Sequence, residues 1–261
     1  YLKREDKRGG IKRLSHVLIL ARRISQEIFR DEFNIIHAVI GPIATLWIVK
    51  LVSEGISQLA LEYVPMEALG IGFVAFLIHF SGYVLCTLVI IRERISGTLE
   101  RVFMATYERS EILLGYCLGY STLIFAQTVI VLIVSKYFYN LHYGKNLLAV
   151  FVITFLLGIV SIGLAMFVSN FARRESHAMV AIPLILLPAF LLSGLIFPVE
   201  ALPKFLKILS YFFPLRYAIL PLQDILIRGL SFWQVKLDFI GLFGYGVITL
   251  VLGSLTLKDR E

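Results

Sequence analysis

The amino-acid sequence predicts an all-α polytopic membrane protein with six transmembrane helices. Three observations point there. Hydrophobic residues make up 58% of the 261, where a soluble domain holds about 45–50%. Charged residues make up only 16%, against about 25% in a soluble domain. The apolar residues also gather into long runs, and the mean hydropathy is +0.84. The 20 Phe and 12 Tyr fit the same class, because aromatic side chains fill spans and mark bilayer interfaces. This composition excludes a disordered chain, a nucleic-acid-binding domain and an ordinary soluble enzyme. A net charge of +7 suggests nucleic acid in a polar chain, but here its distribution has another meaning.

A membrane helix needs about 20 mainly apolar residues. Six stretches qualify: 35–52, 69–91, 112–134, 147–168, 179–197 and 239–257. The first is short and contains Pro42. The fifth contains Pro183 and Pro188, which lack backbone donors and are expected to kink or unwind it. Lys and Arg in the connections set the direction. With the N-terminus in the cytoplasm, segments 1–34, 92–111, 169–178 and 258–261 lie inside and hold 17 of the 25 basic residues. The outer loop 53–68 holds three Glu and no Lys or Arg. Both termini are therefore expected in the cytoplasm, with the chain in the cell membrane. Residues 1–13 are dominated by Lys and Arg, so no cleavable signal peptide is expected there. Cys86 and Cys117 lie in apolar runs and read as small buried hydrophobes.

The segment 1–34 reads as a basic cytoplasmic tail leading into an amphipathic helix over 14–33. Val17, Leu20, Ala21, Ile24 and Ile28 recur at helical spacing, with Arg22, Arg23, Gln26 and Arg30 away from them. Such a helix lies in the membrane interface. The six-span domain covers 35–257, and 258–261 forms a short cytoplasmic tail. Between the last two spans, Pro198, Pro203, Pro214 and Pro221 punctuate apolar pieces at 205–213 and 219–227. These are too short to cross and too apolar for water, and they read as outer re-entrant helices shielded by protein.

Several chemistries leave no trace in the sequence. No phosphate-binding loop motif is present, so no ATP site is expected in this chain. No His/Cys spacing suggests a metal. No Asp or Glu lies near a span centre, as ion-coupled carriers require. His79 is the one ionisable side chain there. It either lines a polar pathway or bonds a neighbouring helix, and the second reading is preferred. Gly115 with Gly119, and Ser161 with Ala165 and Ser169, are small-residue rows that suit close helix packing.

The end of the second span carries the most specific pattern. Arg92, Glu93 and Arg94 are followed by Gly97, Thr98, Leu99, Glu100 and Arg101. Gly97 breaks the helix. Thr98 is placed to cap the next one, and Glu100 suits its first turn. The product is a short charged helix, 99–105, parallel to the membrane on the cytoplasmic side; on these residues alone its charges either anchor the span to headgroups, the preferred reading, or meet a soluble partner.

This stretch resembles the cytoplasmic loop of membrane subunits of type-2 ABC exporters, R-E-R-E-x-G-T-L-E, at Arg92, Glu93, Arg94, Gly97, Thr98, Leu99 and Glu100. A second resemblance is to the family signature L-S-G-x-x-F-P … L-P … P-L-T-Y. It covers Leu192, Ser193, Gly194, Phe197, Pro198, Leu202, Pro203, Pro214, Leu215 and Tyr217. Span count and order match too. The sequence departs from the family pattern at Tyr107, where Pro is usual, at Tyr116, where Lys is common, and at Arg216, where Thr is frequent.

The resemblance implies a permease of the drug-resistance or lipid-export branch. Two permease subunits, identical or paralogous, would pair in the membrane lipid and bind ATP-binding subunits, separate or fused. ATP and Mg would belong to those partners, and this chain would hold no cofactor, metal or nucleic acid. The region 93–105 would be the coupling helix, contacting the ATPase through Arg92, Glu93, Arg94, Gly97, Thr98, Leu99, Glu100 and Arg101. The second and fifth spans would line the translocation pathway through Phe76, His79, Phe80, Tyr83, Phe190, Leu191 and Ser193. The outer signature, with Gly194, Phe197, Pro198, Pro203, Pro214 and Tyr217, would form a lid, with Pro188 and Gly194 as flexible points. An aromatic lining suits amphiphilic or apolar cargo moved by alternating access. Export of a lipid-linked glycan, a passive channel or ion-coupled carrier, and a membrane-embedded transferase are the other readings.

Overall fold

The computed structural model describes residues 2–57, 65–104, 107–172 and 174–256, and every regular element among them is helical. In order these are α1 (Leu2–Arg30), α2 (Glu32–Ile35), a π-helical segment (Ile36–Ile40), α3 (Gly41–Ser57), α4 (Met66–Ile95), α5 (Thr98–Met104), α6 (Arg109–Phe138), α7 (Leu147–Ser169), α8 (Glu175–Leu192), α9 (Lys204–Ser210), α10 (Pro214–Leu226) and α11 (Lys236–Thr256). The tail 258–261, the last residue of the sixth stretch and part of the first outer loop lie outside the described residues.

Five helical stretches are long and apolar enough to cross a membrane: Glu32–Gly55, Met66–Ile95, Arg109–Phe138, Gly144–Ser169 and Lys236–Thr256. The amphipathic helix ends at Arg30 because Asp31 caps a new one, its carboxylate accepting the Phe33 N–H at 3.0 Å. The first span then absorbs Pro42 through the π segment just ahead of it. Pro42 cannot donate to the Ala38 carbonyl, and the wider turn places that lost bond at the junction. At 30 residues each, α4 and α6 are about 45 Å long, more than the ~30 Å hydrocarbon core. Both therefore carry charged ends out of the bilayer as intact helix.

The fifth stretch is one continuous helix as far as Leu192. Residues Glu175–Leu192 are helical without interruption through Pro183 and Pro188, so neither proline unwinds the span. Each removes one backbone bond, which a helix tolerates among neighbours. The apolar part, Met179–Leu192, is about 21 Å long, and the chain turns at Gly194, whose φ of +91° is open to glycine. The two short apolar pieces are present as α9 and α10, bent by 96° to one another. Their boundaries differ from 205–213 and 219–227, because Pro214 opens α10 at a position that needs no donor and the helix continues past Pro221. Arg216 braces the corner between them. Its guanidinium donates to the Ser210 hydroxyl and lies 3.9 Å from the Tyr211 ring centre.

At the centre of the bundle stands α4. Of its apolar window 78% is buried, against 17% for the first span and 22% for α11, which places those two on the rim. Glycine lets the central helices touch. Gly82 lies against Gly158 and Ser161, and a Cβ added to Gly158 would sit 2.2 Å from Ile124 Cγ2. Ser161, Ala165 and Ser169 are all buried, so this row serves internal packing. Polar side chains inside are tied across helices: Gln127 donates to Ser81 at 2.7 Å, and His79 Nδ1 meets the Ser161 hydroxyl at 2.6 Å.

Candidate functional site

The helix α4 stays regular through Ile95, so Glu93 and Arg94 leave its last turn in different directions. Gly97, at φ +71°, separates α4 from α5. Here one expectation is corrected. Gly97 itself is the cap, since its carbonyl accepts from Arg101 N–H at 3.3 Å, while the Thr98 hydroxyl bonds Ser96 Oγ at 3.0 Å instead. Thr98 is already the first helical residue, one position too late to cap. Arg92 and Arg101 are exposed. The side chains of Leu99 and Glu100, and residues 105–106, lie outside the described residues.

Arg94 reaches the end of α7. It donates to the Ser169 and Asn170 carbonyls, both at 3.3 Å, and to Asn170 Oδ1 at 3.0 Å. The Asn170 amide in turn donates to the Gly253 carbonyl at 3.1 Å and to Thr256 Oγ1 at 2.9 Å. One arginine and one asparagine thus join the ends of α4, α7 and α11. Glu93 turns the other way. It accepts from the Tyr116 hydroxyl on α6 and lies 3.8 Å from Arg23 on α1. The charged turn is therefore wired to four helices.

The amphipathic helix α1 completes this end. Its buried stripe, Val17, Leu20, Ala21, Ile24 and Ile28, rests on α6. Contact is close because α6 offers glycine: a Cβ at Gly115 would lie 2.7 Å from Leu20 Cβ, and one at Gly119 would lie 2.7 Å from Ile24 Cβ. The stripe expected to lie in the membrane interface is satisfied by protein, while Leu14, Leu18 and Ile19 remain exposed on the other side. His16 Nδ1 meets Glu111 at 3.1 Å, and Arg13 pairs with Glu108 at 2.6 Å. Glu108 and Glu111 form a capping box that starts α6, so Tyr107 fills the usual Pro position without loss of the helix start. Tyr107 packs edge-on against His16, with ring centres 4.9 Å apart.

Sequence reasoning located this turn and its residues but missed Asn170, Arg23 and the bond of Tyr116 to Glu93. Tyr116 did carry a signal, as a departure from the family's Lys. Asn170 carried none, because its partners lie 76 or more residues away in sequence.

The residues expected along a pathway separate into two groups. Phe76, Phe80 and Phe190 belong to one aromatic ladder that links the first span, α4 and α8. In it Phe33 stacks on His37, His37 on Phe80, Phe80 meets Phe76, and Phe76 meets Phe190 edge-on at 4.7 Å. These rings are half-buried apart from Phe33, which is exposed, and Leu191 is also exposed. His79, Tyr83 and Ser193 are instead fully buried within the protomer. His79 faces α7 through Ser161, which is the neighbouring-helix reading. The Ser193 hydroxyl donates back to the Phe190 carbonyl at 3.2 Å.

Among the outer signature residues, Gly194 and Pro198 line a cavity of about 290 Å³ together with Glu200, Asp224, Arg228 and Asp238. Phe197 and Pro203 are on the surface, Pro214 is buried at the start of α10, and Tyr217 bonds the Tyr211 carbonyl at 3.1 Å.

An all-helical bundle with five helices able to cross a membrane, a docked amphipathic helix, a charged helical turn at one end and a bent helix pair at the other defines an all-α polytopic membrane protein. The sequence pattern of the ABC-2 type transporter family matches residues 15–227, which is most of the chain. The chain belongs to that family, as a type-2 ABC permease subunit. It is 29% identical over 159 residues to the probable multidrug ABC transporter permease YbhS of Escherichia coli, covering 60% of this chain and 42% of that protein. It is 26% identical over 174 residues to the linearmycin resistance permease protein LnrN of Bacillus subtilis, covering 65% and 44%. ABC transporter G family member 20 of Dictyostelium discoideum is 25% identical over 188 residues, covering 71% and 26%. The chain therefore spans less than half the length of each of these relatives.

Proposed function

We propose that this chain is the transmembrane subunit of an ATP-driven exporter of amphiphilic or apolar small molecules. The observation that carries the reading is the charged turn. The residues Arg92 to Arg101 span the last turn of α4, the break at Gly97 and the start of α5, and Glu93 and Arg94 connect this turn to α1, α6, α7 and, through Asn170, to α11. A partner pressing on α5 would move these helices together, because the half-buried hydrogen bonds at the turn and the close glycine contacts resist shear. ATP and Mg are assigned to that partner. A second permease subunit, the same or a paralogue, would complete the pathway, with both termini in the cytoplasm and the complex in the cell membrane. Relatives named as a probable multidrug ABC transporter permease and a linearmycin resistance permease support the cargo class. So does the half-buried aromatic ladder, whose rings offer apolar faces to a passing amphiphile.

The test is co-purification from native membranes, followed by reconstitution. An ATPase partner should co-purify, and Glu100→Arg or Gly97→Leu should abolish transport of a fluorescent amphiphile while ATP binding by the partner persists. Full transport by Glu100→Arg would remove the coupling assignment. A stable protein with no ATPase partner under conditions that preserve known complexes would remove the exporter reading.

A further inference from the structure

A second site lies at the far end of α6 from the charged turn. Residues of α6, α7 and their connection surround a cavity of about 720 Å³, within the ~300–1,000 Å³ range of single-ligand sites. Val129, Ile133, Leu147, Leu148 and Phe151 wall it, and Lys136 and His142 close its polar end. Ile133 is 53% and Leu148 73% exposed, so the cavity opens sideways from spanning helices toward the bilayer. Lys136 lies seven residues beyond Val129, about 10 Å along the helix. That distance suits a headgroup above the upper part of an acyl chain in a half-core of about 15 Å.

The rim is built rather than incidental. Between α6 and α7 the chain alternates, with Tyr139, Leu141 and Tyr143 buried and Asn140, His142 and Gly144 exposed. Two hydroxyls pin it: Tyr143 to Ser135 at 2.6 Å, and Tyr139 donating to the Leu46 carbonyl at 2.8 Å. The loop is thereby held in place before any ligand arrives, which lowers the ordering cost of binding. Its charge is one-sided. No Asp or Glu occurs between Glu111 and Glu175, while Lys136, His142 and Lys145 cluster in this connection. Lys136 and His142 make no ion pair among the described residues. The ammonium of Lys136 offers three donors, and the imidazole of His142 offers an N–H in either tautomer.

We propose that this groove binds one bilayer phospholipid with an anionic headgroup, its phosphate held by Lys136 and His142 and an acyl chain lying between α6 and α7. A zwitterionic lipid matches less well, because the residues lining the groove include Lys136 and His142 and no Asp or Glu, and the nearby carboxylate of Glu54 is paired with Lys50. This site is independent of cargo and of any ATPase, and it stands or falls apart from the exporter reading.

The experiment uses the purified full chain in nanodiscs with a trace of diazirine-bearing phosphatidylglycerol or, separately, diazirine-bearing phosphatidylcholine. Cross-linked peptides are then mapped. Labelling of peptide 129–151 by phosphatidylglycerol should exceed that by phosphatidylcholine about fivefold, the effect of roughly one surface cation on an anionic lipid. Lys136→Gln with His142→Gln should equalise the two lipids, and Lys136→Arg should retain the preference. Ile133→Trp, which fills the groove, should lower labelling by both. Equal labelling by the two lipids in the unaltered protein would overturn the proposal. So would absence of labelling at 129–151, as expected if a second copy covers the groove, or a preference unchanged in the double variant.

Discussion

Asn170→Ala tests the joint that links α4, α7 and α11. The substitution removes one bond to the Arg94 guanidinium at 3.0 Å and two neutral bonds, to the Gly253 carbonyl and to Thr256. A bond to a charged group contributes about 1.5–3 kcal/mol and a neutral one about 1 kcal/mol, for a gross loss of about 4 kcal/mol. Arg94 keeps the Ser169 and Asn170 carbonyls, and Asn170 is half-buried, so water replaces part of the loss. A net destabilisation of about 2 kcal/mol follows, or a Tm lower by about 4–8 °C for a chain of this size. Cys86 and Cys117 are both buried free thiols, so a thiol-reactive fluorophore reports unfolding directly. In a double-mutant cycle with Arg94→Ala, the coupling should be about 1 kcal/mol. That exceeds the ~0.6 kcal/mol average of hydrogen-bonded pairs inside bilayers, because one partner is charged. A Tm within 1 °C of the unaltered protein, or strict additivity in the cycle, would refute the joint.

Gly158→Ala should lower Tm by several degrees, since the new methyl meets Ile124 Cγ2 at 2.2 Å and overpacking costs about 1–3 kcal/mol. Ile124→Ala removes that methyl, so the pair should lose less than the sum of the singles; a fully additive pair counts against the predicted clash. Gly119→Ala should push α1 away from α6, because the nearest atoms, Ile24 Cβ and Cγ2, both lie at 2.7 Å. Proteolysis within 13–30 at low trypsin should then rise several-fold, and an unchanged cleavage rate would contradict the docking of α1. Tyr116→Phe deletes the hydroxyl that Glu93 accepts and should cost about 1–3 kcal/mol, the penalty for leaving a half-buried carboxylate short of a partner. Restoration of stability by Glu93→Gln in the same background is expected, and further loss would show that the pair does not act as a unit.

The spans were legible because hydrocarbon demands long apolar helices whatever their neighbours do. The break at Gly97 was legible for a local reason, since a positive φ selects glycine. Proline was read too strongly as a helix boundary at Pro221, which lies inside α10. Pro183, Pro188 and Pro221 remove single backbone bonds, and whether a helix bends there depends on neighbours that no local pattern contains. The amphipathic stripe of α1 was visible at its helical spacing, but its destination was not. Lipid and an apolar groove attract such a stripe equally, and only the paired glycines of α6 settle the choice in favour of protein.

Thus the sequence by itself determined the membrane class, the order of the apolar helices, the charged turn and the family resemblance. Each depends on composition or on contacts within a few residues. The tertiary structure alone decided that Glu93 and Arg94 bind different helices, that Asn170 joins three of them, and that His79 and Tyr83 lie inside the protomer while Phe76 and Phe80 join the ladder. All four side chains in that last division share one helix and similar spacing. Which side of α4 meets another helix depends on packing between residues far apart in the chain, and that information is carried by no short stretch of it.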